Sequence, residues 1–186
     1  MSDLLKSANV YLIGMMGSGK TTVGQLLAKQ LEYQFFDTDT VIEQYSQQSI
    51  AELFATTGEA EFRTLETKVL AELTSYTRLV IATGGGMVLR RENWSYLRHG
   101  VIVWLDVPLD EIQERLQADT TRPLLQETDL PNRLKELMAQ RRSLYAQADV
   151  HVLCAAKASP EQIAQQVMEQ IEHVIEPDTT PPDQDF

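Results

Sequence analysis

The chain has a single cysteine, a deficit of positive charge and no long apolar run, and each shortage closes off a class of protein. One thiol, Cys154, excludes an internal disulfide and suits a reducing compartment. It ends the apolar stretch Val150-His151-Val152-Leu153-Cys154 and reads as a packed core thiol, not a nucleophile. Sixteen Lys and Arg against 27 Asp and Glu leave a formal net charge of −11, which speaks against nucleic acid as a partner. An anionic ligand must then be held locally, by backbone amides and a few arginines. No apolar run approaches the ~20 residues of a membrane span, and the first ten residues carry no apolar leader segment. A cytoplasmic location without a membrane partner is the expectation. The guanine-reading pattern N-K-x-D is missing, and there is no internal repeat.

What is present fits an ordinary globular protein. Of the 186 residues 43% are apolar and 23% charged, enough for one domain with a sizeable core over 1–175. Residues 176–186 hold three prolines, four acids and no base, so a disordered acidic tail is expected there. Without those four acids the net charge is −7. Short apolar runs at 9–13, 33–36, 79–82, 101–106 and 150–154 predict five strands. Between them lie stretches with helical spacing, such as Val23, Leu26, Leu27 and Leu31. Ser49-Ile50-Ala51-Glu52 and Ser159-Pro160-Glu161-Gln162 are helix-start signatures, and the first of these helices should stop near Gly58. The strand-helix alternation predicts an α/β fold, a five-stranded parallel sheet with helices on both faces.

The chemistry starts in the first strand-to-helix turn. Gly14, Gly19, Lys20 and Thr21 fill the pattern G-x-x-x-x-G-K-[ST]. Glycines let the loop turn tightly and aim its amides inward, and a helix N-terminus adds its dipole, so phosphate oxygens are attracted. Lys20 can reach terminal phosphates, and the Thr21 hydroxyl can ligate Mg²⁺. The second strand ends in Asp37-Thr38-Asp39, at the sheet edge where open α/β proteins bind ligands. The third runs into Thr83-Gly84-Gly85-Gly86, and three consecutive glycines point to a tight turn or a close ligand. Arg63 and Glu66 lie three apart on one helix, a pair that by itself reads as a solvated surface contact. Residues 118–130 lose all periodicity and carry one cation, Arg122, ahead of Pro123. The fourth strand ends in Asp106, a rival candidate for metal binding. A phosphate nest, an acidic pair and an arginine on a loop together suggest phosphoryl transfer.

Over residues 9 to 175 these motifs, in this order, resemble the shikimate kinases, small-molecule kinases related to the P-loop nucleoside monophosphate kinases. The resemblance is carried by Gly14 to Gly24, Asp37-Thr38-Asp39, Ile50-Ala51-Glu52-Leu53-Phe54, Gly58 to Arg63, Gly84-Gly85-Gly86, Arg122-Pro123-Leu124-Leu125 and Arg141 with Leu144-Tyr145. It implies a three-layer P-loop kinase fold, with substrate-binding helices at about 38–66 and a lid at about 117–130. It implies transfer of the ATP γ-phosphate to the 3-hydroxyl of shikimate, with Mg²⁺. Gly14, Gly17, Ser18, Gly19, Lys20, Thr21 and Thr22 would hold ATP phosphates, and Arg115 would lie against the adenine. Thr21 and Asp37 would hold Mg²⁺. Arg63 and Arg141 would pair with the shikimate carboxylate, and Asp39 would take its hydroxyls. Gly84, Gly85 and Gly86 would line the acceptor, Glu66 would orient Arg63, and Phe54 and Phe62 would wall the pocket. Lys20 and Arg122 would neutralise the transferring group, with Lys20, Asp39 and Arg122 as the catalytic set. The same resemblance turns Asp106 into a helix cap. The chain departs from some relatives at Ala158, where an arginine helps to clamp adenine, so weaker nucleotide binding is expected. A related kinase of another small metabolite such as gluconate, and an inactive nucleotide-binding relative, stand as the alternative readings. A monomer is expected.

Overall fold

A computed structural model describes residues 5–118 and 129–175. The expected tail, most of the expected lid and Arg122 lie outside the described residues. Five strands form one parallel sheet in the order β2-β3-β1-β4-β5: β1 is Asn9–Ile13, β2 Gln34–Asp37, β3 Leu79–Ala82, β4 Gly100–Asp106 and β5 Val150–Leu153. The helices are α1 (Lys20–Leu31), α2 (Thr38–Ser46), α3 (Ile50–Thr74), α4 (Arg91–Leu97), α5 (Leu109–Ala118), α6 (Leu130–Tyr145) and α7 (Pro160–Ile175). A 3₁₀ turn, Met87–Leu89, precedes α4.

The burial of β1 explains why it sits in the middle. Val10, Tyr11, Leu12 and Ile13 are fully buried, and β3 on one side and β4 on the other share their register with it. Each such side chain contributes about 1.5–3 kcal/mol relative to exposure. The crossover from β1 to β2 passes over β3 in one direction, whereas those from β2 to β3, β3 to β4 and β4 to β5 run the other way. Right-handed connections then put α1, joined later by α7, on one face and α3, α4 and α6 on the other. Leu27, Leu31, Val167 and Ile171 fill the first layer, and Leu70, Leu97, Leu134 and Tyr145 the second.

Some boundaries differ from expectation for local reasons. The second strand starts and ends one residue later than predicted. Tyr33 closes the α1 C-terminus by donating its N–H to Ala28 O, and Asp37 both ends β2 and caps α2 by accepting the Asp39 N–H. The helix that starts after Ser49 breaks at Gly58 as expected: φ 79° and ψ 169° there are non-helical, so α3 is two helices that meet at a kink. The edge strand β5 is half-buried, with His151 and Leu153 turned outward. Both helix-start signatures are formed: Ser49 with Glu52, and Ser159 with Gln162. No described helix is long and apolar enough to cross a membrane.

Candidate active site

The C-terminal ends of β1, β2 and β3 open into a cleft of about 510 Å³. Residues Met16 to Val23 form its floor, Asp37, Asp39, Thr83, Gly84 and Gly85 one wall, and Arg115, Leu116, Ala158, Pro160 and Ile163 the other. The floor is built locally. Gly14 (φ 140°) leaves β1 so close to β4 that a Cβ there would lie 2.7 Å from Leu105 O. The loop folds back on itself through the Ser18 N–H, which donates to Met15 O at 3.2 Å. Gly19 (φ 86°) starts α1 without a side-chain cap, so the first amides of the helix face the cleft. Lys20 is buried under the loop, its Nζ donating to Gly14 O at 3.0 Å and Met15 O at 2.7 Å. The ammonium therefore sits within reach of any anion the amides gather.

The acidic pair divides its work. Asp37 Oδ2 accepts the Thr21 hydroxyl at 2.7 Å, tying the end of β2 to the start of α1. Asp37 Oδ1 accepts the Asp39 N–H, which turns α2 so that Asp39 lines the cleft. Between the two acids, Thr38 is fully buried and its Oγ1 accepts the Gly84 N–H at 3.0 Å. The sequence alone did not single out Thr38. Its one legible signal is a small hydroxyl between two acids at a strand end.

The three glycines meet the rest of the site one by one. A Cβ on Gly84 would lie 2.8 Å from both Asp39 Oδ1 and Glu66 Oε1. On Gly85 it would face Arg141 Nη1 at 3.4 Å and the P-loop backbone at 3.5 Å, and on Gly86 it would fall 2.3 Å from Arg63 Nη1. The turn is bare because Asp39, Glu66, Arg141 and Arg63 pack onto its backbone. Arg63 and Glu66 correct the solvated-pair reading: they meet at 2.6 Å with side chains 15% and 1% exposed. Burial pushes the Glu66 carboxyl above its usual range; Arg63 and Arg141 pull it back, and Asp39 pushes it further up. Arg63 also meets Glu59 at 3.2 Å and lies over the rings of Phe62 and Phe54, 5.4 and 5.8 Å from their centroids. The two rings pack at 4.4 Å. Arg141 reaches in from α6 to donate to Gly85 O at 3.1 Å.

Arg115 lines the cleft beside the glycine loop, held by Glu111 at 3.0 Å and donating to Gly17 O at 3.3 Å. Ala158 lies on the same cleft and brings no charge to it. Asp106 is not the helix cap that was expected. Its carboxylate lies 3.0 Å from His151 Nε2 and 3.8 Å from Arg142, side chains that β5 and α6 bring to it. Cys154 is buried as expected, and burial pushes its thiol up to about 11, so it is inert near neutrality.

Comparison with known proteins adds the chemistry of the relatives. A family model described as shikimate kinase matches residues 16–172. A shikimate kinase of a Nostoc species is 59% identical over 94% of this chain and 97% of its own length. The solved shikimate kinase of Acinetobacter baumannii, in complex with shikimate, superposes with a TM-score of 0.86 at 37% identity, over 92% of this chain and 97% of that one. That of Bacteroides thetaiotaomicron gives 0.83 at 32% identity, over 89% and 98% of the two chains. The chain is a phosphotransferase and belongs to the shikimate kinase family.

Proposed function

We propose that this enzyme transfers the γ-phosphoryl group of ATP to the 3-hydroxyl of shikimate, giving shikimate 3-phosphate and ADP. One observation carries the reading. Two arginines from separate helices, Arg63 and Arg141, converge with Asp39 on one glycine turn beside the phosphate loop. A planar guanidinium pairs with a carboxylate through parallel charge-assisted bonds, so two of them favour an acceptor that is an anion. An acid beside them favours an acceptor that also carries hydroxyls.

In this reading the loop amides and the N-terminus of α1 hold the phosphates, and Arg115 lies along the base. Lys20 exchanges its loop carbonyls for phosphate oxygens and offsets the charge that spreads over the transferring group. The acceptor hydroxyl oxygen bonds to the γ-phosphorus while the bond from that phosphorus to the β-phosphate oxygen breaks. Asp39 orients the hydroxyl and takes its proton. Phe54, Phe62 and Glu66 hold Arg63 against the turn, so the acceptor enters a prearranged anion site and loses little freedom twice. The residues also fit Mg²⁺. Thr21 and Asp37 present hard oxygen donors 2.7 Å apart at the mouth of the loop, the ligand type this ion takes. Bound there, the ion would supply positive charge to offset that of the phosphates.

The test is ADP release in a coupled assay with shikimate, quinate and gluconate as separate acceptors, with a nucleotide titration alongside. Turnover with shikimate well above the other two is expected. Equal turnover with gluconate, or none with shikimate, overturns the proposal.

A further inference from the structure

Tyr145 has no part in the reading above, yet it touches the same turn as the residues that do. It is fully buried at the end of α6, four residues after Arg141 and therefore on the same helix face. Its hydroxyl donates to Gly85 O at 2.7 Å, the atom that accepts Arg141 Nη1 at 3.1 Å. A carbonyl oxygen has two lone pairs, and α6 fills both. Beneath the bond the phenol ring is fixed by the indole of Trp104, at 5.8 Å between centroids. Burial pushes the ionisation of the phenol up, although Arg141 pulls against it, so the hydroxyl stays a neutral donor.

We propose that Tyr145 is a positioning residue for the acceptor: its hydroxyl sets the Gly85–Gly86 peptide plane and, through it, the place of Arg141. In a trans peptide the Gly86 N–H points opposite to the Gly85 C=O, so a donor that pins the carbonyl also aims that amide. The flanking peptides are held by other groups, the Gly84 N–H by Thr38, Gly84 O by the Met87 N–H and Gly86 O by the Leu89 N–H, whereas the Gly85 carbonyl takes its bonds from α6. Gly84, Gly85 and Gly86 have no side chains to brace the backbone, and glycine peptides rotate at little steric cost. Arg141 cannot both brace the carbonyl and follow an incoming carboxylate unless a second donor holds the carbonyl still. The inference rests on the assignment of the glycine turn and Arg141 to the acceptor.

Tyr145→Phe keeps the ring and its stacking on Trp104 and removes the hydroxyl. The shikimate KM should rise roughly tenfold, the loss of one buried hydrogen bond, while the ATP KM stays within about twofold. Trp104→Phe loosens the same region but leaves the hydroxyl on Gly85, and its shikimate KM should move by less than about twofold. Shikimate binding to the free protein, followed by calorimetry, should show the same split. The proposal falls if Tyr145→Phe leaves the shikimate KM unchanged, if both KM values rise together, or if Trp104→Phe raises the shikimate KM as much. Wild-type enzyme that releases no ADP with shikimate removes the substrate assignment itself and this proposal with it.

Discussion

In the proposed reading the two halves of the site, donor and acceptor, are built by opposite strategies. The donor half comes from one short stretch, Gly14 to Thr22, whose contacts are mostly with its own backbone. The acceptor half joins Asp39 on α2, Arg63 and Glu66 on α3, the glycines after β3, and Arg141 and Tyr145 on α6. A local loop can be specified by a few backbone angles. An assembly from four elements needs the whole sheet in place, and it buries charges that must find each other. The donor half should therefore fail by chemistry when a single group is lost, and the acceptor half by misplacement when any supporting contact is lost.

The largest effects test the chemistry on each side. Lys20→Met removes the buried ammonium from the loop, and Asp39→Asn removes the acid beside the acceptor hydroxyl. Each should lower kcat by on the order of 10² or more. Steady-state assays should separate them, because Lys20→Met should also weaken ATP binding whereas Asp39→Asn should leave it within about threefold. Asp39→Asn with near-normal kcat would show that the acid only orients the hydroxyl.

Next come two glycines that break different halves by the same added methyl. In Gly86→Ala the Cβ meets Arg63 Nη1 at 2.3 Å, so the guanidinium must leave the turn and the shikimate KM should rise by roughly 10- to 100-fold. In Gly24→Ala the Cβ meets the ring of Phe35 at 2.5 Å and Leu12 at 3.1 Å, behind the donor loop. That change overpacks the core and should cost about 1–3 kcal/mol of stability, with acceptor kinetics preserved in the folded fraction. Urea unfolding beside kinetics checks both. A Gly86→Ala enzyme that has lost stability and kept its shikimate KM would erase the distinction between the halves.

Legibility in the sequence follows the same division. The loop could be read because its residues are adjacent and each has a fixed task. The five strands were legible as short apolar runs, with errors of a residue where one group serves two elements, as Asp37 does between β2 and α2. Helical spacing by itself left Arg63 and Glu66 as a solvated pair, because it tells which residues are neighbours but not which face is covered, and only the resemblance put them in the site. The covering groups are Phe62 and the turn after β3, and the turn is some 20 residues away in sequence. Thr38 and Tyr145 stood inside motifs that carried the resemblance but drew no role of their own, since each hydrogen-bonds a glycine peptide far along the chain. Asp106 was given its cap role by the resemblance, and its partners, His151 and Arg142, lie on elements whose placement only the sheet order fixes.

The buried pair gives a pH prediction. Glu66 has an ordinary carboxyl value of 4.5, and burial raises it in the folded protein. A proton held more tightly in the folded state contributes stability that is complete below the unfolded value and lost as pH rises through the raised one. Glu66→Gln is neutral throughout and lacks that slope. Unfolding midpoints measured from pH 4 upward should thus show wild type losing stability relative to the variant as pH climbs past 4.5. At neutral pH the variant should have a raised shikimate KM, because Arg63 keeps only Glu59 as a carboxylate partner. Parallel pH curves for the two proteins would mean that Arg63 fully offsets the burial of Glu66.

The smallest effect is expected at Asp106, and it decides where the donor half ends. An apolar strand ending in an acid is a plausible metal site, and β4 lies next to β1. The carboxylate is instead taken up by His151, whose side chain is 41% exposed, and by Arg142 at 3.8 Å. Partly solvated pairs of this kind contribute about 0–1 kcal/mol. Asp106→Asn retains an oxygen that can accept from His151, so kcat and the ATP KM should stay within about twofold and the Mg²⁺ dependence should match wild type. The Thr21–Asp37 pair then suffices as the protein's contribution to the ion. Loss of the Mg²⁺ response in Asp106→Asn, with nucleotide still bound, would instead extend the donor half to β4. That half would then be no more local than the acceptor side.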